Sequence, residues 1–383
     1  YYGCLVRKSN AQESMQTLAA GLVQEGYLVD LNAVNFPHGK DSSVVVLPDL
    51  PSYPWNHQIK HWVESRLNKA SRERSQPPHD LLGSLVAGSN STAPSWRRTL
   101  RVSESPWTRD HVIQSNILYP AAGYICLAIE AIKQLAAIEQ TKGAQEPSGY
   151  RLRNVDFLQA LIIPESSDGI EIQTSMRTVS DKDDGIRGWK HFEVWTVTAD
   201  NRWTQHAKGQ IAIELEGPEV LKQETRHREI KGYTKRIIPA DLFANLRALG
   251  IAHGPKFQNM NSIVQSGSQP QSLVTMSVAD ISVPNDLPRN HVLNPVTLDS
   301  IITAPYSTVR GAVAHETAAK VPRSVQSFWV SHKISNVPGD LLDVQSELVR
   351  NDSQGMEADV SVSDDGKVVL EMKGFAYQSL GES

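Results

Sequence analysis

The sequence predicts an α+β fold built from two similar halves, each with one central helix wrapped by an antiparallel sheet. The chain has 383 residues, a length that suits two or three domains. Each half carries an apolar helix that opens at a proline, Pro120 or Pro295, and a run of alternating apolar and polar residues follows each helix. A curled sheet around a helix, present twice in one chain, is the double hotdog architecture.

Composition and charge indicate which classes of protein this chain can belong to. Hydrophobic residues make up 40% and charged residues 21%, so the chain can bury a core. The net charge of −4, with both signs mixed along the chain, predicts neither a nucleic-acid nor a membrane partner. The two cysteines, Cys4 and Cys126, are too few for a disulfide framework or a zinc site. Since no run of 18 apolar residues and no secretory leader is found, we expect a cytoplasmic piece of a larger protein.

The first elements are predicted as follows. Residues 1–78 form a linker segment with a helix over 11–25, strands at 27–31 and 44–47, a basic helix over 57–71 and a linker at 75–79. Residues 79–216 form the N-terminal half, with short strands before His111, a helix over 120–140 and strands near 151–163, 168–179, 189–199 and 203–215. Proline in the first turn of the long helix loses no hydrogen bond, which supports that helix.

The second half repeats this order. The charged segment 217–232 is predicted as an interdomain linker. Residues 233–383 then give a helix near 239–249, a turn at 253–255, strands at 272–283, the Pro295 helix, and strands near 324–333, 341–350, 356–363 and 367–378. The repetition lies in the order of the elements and not in sequence identity.

His111 is the first candidate for chemistry. Its imidazole has an ordinary pKa near neutrality, so it can take up a proton and return it. It ends a short polar run and is predicted to lie just before a helix start, where backbone N–H groups can polarise a carbonyl. A purely structural role is the alternative for any one of the twelve histidines. Asp110, beside Arg109, is expected to be solvated or salt-bridged.

Asp299 is the second candidate. It lies four residues after Pro295, where the helix dipole alone already favours an acid. A catalytic role requires burial that raises its pKa, so that the carboxyl holds a proton to donate. Its apolar neighbours, such as Leu298 and Ile301, would supply that burial. A base and an acid, one from each half and facing one pocket, suit proton removal and leaving-group protonation, which is the chemistry of a dehydratase.

Several motifs, in order, resemble the dehydratase region of fungal highly reducing iterative polyketide synthases. They are the segments 79–83 (HDLLG), 96–101 (WRRTLR), 106–111 (PWTRDH), 120–124 (PAAGY), 254–258 (GPKFQ), 297–300 (TLDS) and 374–381 (GFAYQSLG). Residues 1–78 resemble the linker that follows the acyltransferase of such a synthase. The resemblance covers essentially the whole chain.

This resemblance implies a reaction, a carrier and a site. The reaction is dehydration of a β-hydroxyacyl thioester to the α,β-unsaturated thioester, without a metal or a nicotinamide cofactor. The substrate is carried on the phosphopantetheine of the acyl carrier protein of the same multifunctional synthase, with neighbouring synthase domains as partners and a homodimer as the assembly. His111 is the implied general base and Asp299 the general acid. The implied substrate-binding residues are Ser115, Pro120, Gly123, His253, Gly254, Pro255 and Thr303.

Four positions depart from the family pattern. Ser115 stands where glycine is usual, His253 where tyrosine is, Asn294 where histidine is, and Thr303 where glutamine or histidine is. The backbone N–H of that glycine is expected to bind the thioester carbonyl, and serine lacks glycine's conformational freedom. A second hypothesis is therefore a degenerate dehydratase fold kept as a structural and dimerisation module. A third is that the same pocket serves isomerisation, cyclisation or thioester hydrolysis.

Overall fold

The computed structural model describes residues 3–39, 48–56, 58, 62–74, 76–90, 92–139, 147–179, 188–215, 233–282, 291–309, 313 and 316–380. The chain divides into two compact units, residues 1–63 and 64–383. The predicted boundary at 78/79 stays a prediction, and the predicted linker 217–232 lies outside the described residues.

The first unit contains the helices α1 (Ala11–Gln24) and α2 (Leu31–Asn35). The prediction of a helix over 11–25 is confirmed. The strand predicted over 27–31 is wrong, because the Asp30 carboxylate accepts hydrogen bonds from the backbone N–H groups of Asn32 and Ala33 and so starts α2 there. The strand predicted over 44–47 lies outside the described residues.

The second unit carries the remaining elements. In chain order they are α3 (Arg66–Arg72), β1 (Ser84–Leu85), β2 (Ser95–Leu100), β3 (His111–Ile113), β4 (Asn116–Ile117), α4 (Ala121–Glu139), β5 (Pro147–Phe157), β6 (Ile170–Thr178), β7 (Lys190–Val197), β8 (Trp203–Leu215), β9 (Tyr233–Ile237), α5 (Pro239–Ala248), β10 (Ile251–His253), β11 (Met260–Ser266), β12 (Gln271–Ser277), α6 (Pro295–Thr303), β13 (Lys320–Ser331), β14 (Leu341–Asn351), β15 (Gly355–Asp364) and β16 (Lys367–Ser379). The basic helix predicted over 57–71 is shorter than expected, since residues 62–65 are irregular and the Ser65 side chain caps α3.

Thirteen strands of this unit form one antiparallel sheet. Their order is β1-β2-β6-β7-β8-β5-β13-β16-β15-β14-β12-β11-β9. The strands of the two halves meet where β5 pairs with β13, with Leu152 opposite Phe328 and Val155 opposite Val325. Along β7 buried and half-buried residues alternate, as expected of a strand that covers a core on one face.

The central helices α4 and α6, one from each half, contact each other. The stretch Ala121–Ile138 of α4 is long and apolar enough to cross a membrane by length and composition. However, 67% of it is buried inside the protein, as expected of the helix at the centre of a core. The arrangement is the predicted α+β double hotdog.

Glu130 of α4 links the two halves. Its carboxylate accepts hydrogen bonds from the backbone N–H of Val292, at 2.7 Å, and from Lys133 Nζ, at 3.1 Å, and it lies 3.4 Å from His79 Nε2. Burial alone raises the pKa of Glu130, but the hydrogen bond from His79 and the charge of Lys133 together bring the pKa below its ordinary value of 4.5.

We expect Glu130→Gln to lower the free energy of unfolding by about 2 kcal/mol at pH 7, since it weakens hydrogen bonds to a buried charge. Because the pKa of Glu130 is lower in the folded protein than in the unfolded chain, its stabilisation is full above the ordinary pKa and disappears as the pH falls through the folded one. In urea unfolding, the difference in the free energy of unfolding between wild type and Glu130→Gln should be smaller at pH 4 than at pH 7. Glu104→Gln, at an exposed position, is the control. A difference that stays the same at both pH values would contradict this account.

Candidate active site

His111 opens β3, directly after the three-ten helix Pro106–Asp110. Its Nδ1–H donates to the carbonyl of Leu118 at 2.8 Å, and the Leu118 N–H donates back to the His111 carbonyl at 3.1 Å. This bond leaves the lone pair of the neutral ring on Nε2. The prediction that His111 lies just before a helix start is wrong, because the β3–β4 hairpin comes between it and the beginning of α4 at Ala121.

Ser115 lies in the turn of that hairpin. Gln114 and Ser115 have φ values of +47° and +64°, and the strands on either side pair Ile113 with Asn116. Two central residues with positive φ are typical of the turn that suits the twist of a two-residue hairpin. The backbone here therefore has the conformation that glycine adopts at least cost, although the residue is serine.

We expect Ser115→Gly to raise the free energy of unfolding by about 0.5 kcal/mol. The left-handed conformation costs a serine about 1–2 kcal/mol, and the extra entropy of an unfolded glycine offsets part of that gain. Ser262→Gly is the matched control, since Ser262 is exposed on β11 and does not have a positive φ. Urea unfolding should show opposite signs for the two variants, and a destabilised Ser115→Gly would contradict the argument.

His253 lies directly opposite His111, because β10 pairs antiparallel with β3. Residues opposite each other on paired strands are side-chain neighbours. The two rings stack at a centroid distance of 5.3 Å, and the buried ring of Phe257 packs against both, at 5.2 Å from His111 and 5.6 Å from His253. The short β3–β10 pairing thus brings a histidine of each half to one place.

Asp110 connects the strand β3 side of the site to the turn that follows β10. The sequence suggested only that Asp110 would be solvated or salt-bridged, and the structure shows a more specific role. Its carbonyl accepts a hydrogen bond from the Gly254 N–H at 2.7 Å, and its carboxylate accepts one from the Lys256 N–H at 2.8 Å. A Cβ at position 254 would lie 2.6 Å from the carboxyl carbon of Asp110, so only glycine fits there without displacement. The backbone N–H groups of Gly254 and Lys256 therefore connect the second half to the first beside the site.

Asp299 lies inside α6 and is 4% exposed. The Asn294 side chain caps this helix by accepting a hydrogen bond from the Thr297 N–H at 2.8 Å, which gives the asparagine at that position a structural role. Asp299 Oδ1 is 3.8 Å from His111 Nε2, and Asp299 Oδ2 is 3.7 Å from His253 Nε2. The carboxyl group therefore lies beside both histidines.

Burial shifts the pKa values of Asp299 and His253. It raises the pKa of Asp299, and His111 opposes that rise. Burial, and after it the neighbouring His111, lowers the pKa of His253 to about 3. Burial therefore shifts the Asp299 carboxyl towards its protonated form and keeps His253 neutral at neutral pH. The hydrogen bond to Leu118 directs the free nitrogen of His111, Nε2, towards Asp299.

A cavity of about 370 Å³ adjoins these groups. Of the predicted site residues, the structure brings His111, His253, Asp299 and Thr303 together in its wall. It does not place Ser115, Pro120, Gly123, Gly254 and Pro255 there. Gln114 and Asn116, on either side of Ser115, do line the cavity. Gly123 instead packs against the Tyr119 ring, where a Cβ would lie 2.5 Å from a ring carbon.

The sequence did not predict that residues distant in the chain also line the cavity. Tyr377 and Arg323 line the cavity from β16 and β13, and Tyr306 does so from the three-ten helix after α6. The hydroxyls of the two tyrosines are used internally, since Tyr306 donates to the Lys320 carbonyl and Tyr377 to the Ile302 carbonyl. No local motif marks Arg323 or Tyr306, and the segment 374–381, which contains Tyr377, does not by itself show that this residue faces a cavity. Only the tertiary fold brings the three residues here.

Comparison with known families places both halves. Residues 79–196 match the family described as Polyketide synthase dehydratase domain, and residues 222–383 match the one described as Polyketide synthase dehydratase N-terminal domain. The chain is 67% identical over 389 residues to Highly reducing polyketide synthase sor1 of Hypocrea jecorina, and 66% identical over 385 residues to Highly reducing polyketide synthase sorA of Penicillium rubens. In both cases the match covers 100% of this chain and 15% of the relative's length.

Solved structures show the same fold. The dehydratase domain from the CurF module of Curacin polyketide synthase is 19% identical, with a TM-score of 0.59, and the match covers 79% of this chain and 100% of that one. The dehydratase domain of PpsC from Mycobacterium tuberculosis, in complex with C12:1-CoA, is 20% identical, with a TM-score of 0.60 and the same coverage. The predicted double hotdog is thereby confirmed. The chain belongs to the polyketide synthase dehydratase family and is a dehydratase region of the fungal highly reducing type, as its motifs predict.

Proposed function

We propose that this chain dehydrates a β-hydroxyacyl thioester to the α,β-unsaturated thioester, with His111 as the general base and Asp299 as the general acid. The observation that carries the proposal is the position of His111 Nε2, 3.8 Å from Asp299 Oδ1 in the wall of one cavity. The two residues come from different halves of the fold, so a substrate that enters between the halves meets both.

The proton transfers follow from this arrangement. His111 Nε2 takes the α-proton, and the electron pair of that C–H bond forms the double bond between the α- and β-carbons. The β-carbon–oxygen bond breaks while the Asp299 carboxyl donates its proton to the departing hydroxyl, which leaves as water. The imidazolium and carboxylate that remain stand beside each other, and return of the proton from His111 to Asp299 restores the starting state.

Structures of a related domain support these roles. The CurK dehydratase has been solved as an inactive histidine-to-phenylalanine mutant and as an inactive aspartate-to-asparagine mutant. Each is 16% identical to this chain and shares its fold. In that protein, therefore, a histidine and an aspartate are both required, and here His111 and Asp299 are the corresponding pair of residue types in the cavity.

The carrier and the assembly are part of the same proposal. The chain spans 15% of the length of the sor1 and sorA synthases, which fits one domain of a multifunctional enzyme. Coenzyme A, which is bound in the PpsC structure, presents its acyl group on a pantetheine arm. We therefore expect the substrate on the phosphopantetheine of an acyl carrier protein of the same cytoplasmic synthase, next to the neighbouring domains and in a homodimer.

The rival hypothesis is that the domain has no catalytic activity and serves as a structural and dimerisation module. Ser115 favours this hypothesis. This residue stands where the family has glycine, and its backbone has positive φ. The structure explains Asn294 as a helix cap, and it keeps His253 and Thr303 in the cavity wall. The departures at these three positions are therefore compatible with a working site.

The test is mass spectrometry of the protein incubated with each enantiomer of 3-hydroxybutanoyl pantetheine. We expect one enantiomer to lose the mass of water, and NMR of the product to place the new double bond between the α- and β-carbons. A shifted double bond would indicate isomerisation. A cyclic product would indicate cyclisation, and a free acid would indicate hydrolysis of the thioester. Intact substrate at several chain lengths, from folded dimer, would favour the module without catalytic activity.

A further inference from the structure

His111, His253 and Asp299 have, beyond their acid–base chemistry, the composition of a metal site. Their ligand atoms, two imidazole nitrogens and one carboxylate oxygen, all lie within 4.8 Å of one another, and all three residues are buried. Two histidines and one carboxylate, with a further position left open, form a common ligand set for Zn²⁺. We propose that these three residues bind a divalent transition metal ion, Zn²⁺ in particular, and that the bound ion inhibits the enzyme.

The distances fit this ion after a small adjustment. Zn²⁺ binds nitrogen and oxygen ligands at about 2.0–2.2 Å, so neighbouring ligands of a tetrahedral site stand about 3.3 Å apart. The carboxylate oxygens of Asp299 are 3.8 Å from His111 Nε2 and 3.7 Å from His253 Nε2. These two pairs involve different oxygens of Asp299, and each needs to close by about 0.5 Å. One ligand atom from each of the three residues lies within 4.8 Å of the others, so the remaining pairs need to close by at most about 1.5 Å through side-chain rotation.

The surroundings of the two histidines favour such a site. The Nδ1–H of His111 donates a hydrogen bond to the Leu118 carbonyl at 2.8 Å. Histidines that bind a metal usually donate their other ring N–H in this way, and this fixes the orientation of the nitrogen that binds the metal. His253 Nδ1 is buried and has no hydrogen-bond partner in the described part of the chain, so no hydrogen bond opposes rotation of that ring. The adjoining cavity leaves room for water or another ligand at the fourth position.

His253 supplies the third ligand of the site. A tyrosine in its place would leave one histidine and one carboxylate as ligands in the cavity. Imidazole is a far better ligand for Zn²⁺ than a neutral phenol. His253 therefore completes the triad, and His253→Tyr is the control that removes its third ligand.

A second cluster has the same residue types but a different explanation. It consists of His79, Asp80 and His291. His79 Nδ1 accepts hydrogen bonds from the backbone N–H groups of Leu81, at 3.1 Å, and Leu82, at 3.3 Å, while His291 Nε2 lies 2.8 Å from Asp80 Oδ1. Since these nitrogens are already engaged in hydrogen bonds, the cluster is a link within the protein and serves as the comparison site.

The inhibitory effect rests on the proposed function, whereas the binding does not. An ion on His111 Nε2 would occupy the lone pair that takes the α-proton, and on Asp299 it would take the place of the proton that the carboxyl donates. Zn²⁺ should therefore stop dehydration, and a chelator should restore it. Binding is measured separately, so a protein without turnover would still test the site.

The experiment titrates metal-free protein with Co²⁺, read by its visible absorption, and with Zn²⁺, read by calorimetry. Wild type should bind one ion per chain with the spectrum of tetrahedral Co²⁺. His253→Tyr and Asp299→Asn should each weaken binding by at least about 100-fold, while His291→Asn should bind as wild type does. Circular dichroism confirms folding, and Asp299→Asn provides the test if His253→Tyr does not fold. The proposal is overturned if wild type binds no ion, if the triad variants bind as wild type does, or if only His291→Asn loses binding.

Discussion

Replacing His111 with alanine should reduce kcat/KM for dehydration by about 10²–10⁴-fold, the usual effect of removing a positioned proton-transfer group. The ring is the proposed base of the site, held by the Leu118 carbonyl with Nε2 directed to Asp299. Alanine keeps the backbone of β3 but offers no atom that can take the α-proton. The measurement is the rate of water loss from 3-hydroxybutanoyl pantetheine, followed by mass spectrometry.

A histidine outside the cavity is the matched control. His191 of β7 is half-buried and does not line the cavity, so His191→Ala should keep the wild-type rate. Urea unfolding of both variants separates loss of chemistry from loss of structure. If folded His111→Ala retained the wild-type rate, or if both variants lost activity equally, His111 would not be the base.

The candidate catalytic residues could be predicted because each belongs to a local motif. His111 and Asp299 lie near prolines that open apolar helices, and a short stretch of sequence is enough to show this. The position of His253 opposite His111 could not be predicted in the same way. It depends on the pairing of β3 with β10, two strands of three residues that lie far apart in the chain. No local periodicity encodes such a pairing.

The same contrast explains the fold. Long alternating segments such as β7 and β16, and the apolar helix α4, were predicted because burial on one face imposes a period on the sequence. The strand β9 was missed, since its residues Thr234 to Arg236 are exposed and polar and show no alternation. The backbone of Ser115 was also beyond prediction, because a family comparison shows which residue has changed but not whether the turn keeps its positive φ.

Replacing Asp299 with asparagine should reduce dehydration of the hydroxy substrate by about 10²–10⁴-fold, because an amide has nearly the same shape but donates no proton of comparable acidity. Burial raises the pKa of Asp299 because it disfavours the charged form, so the neutral amide should fit the same place without loss of stability. The rate of water loss and the free energy of unfolding, measured on the same preparation, check both parts.

A change of leaving group tests the role of Asp299 more sharply. Chloride leaves carbon without needing a proton, so a 3-chlorobutanoyl thioester still requires the base but not the acid. Asp299→Asn should eliminate chloride at close to the wild-type rate, whereas His111→Ala should not. Equal loss on both substrates would mean that Asp299 orients the substrate or His111 and does not donate the proton. Full activity of Asp299→Asn on the hydroxy substrate would remove Asp299 from the mechanism and leave the acid to be found among the other groups of the cavity.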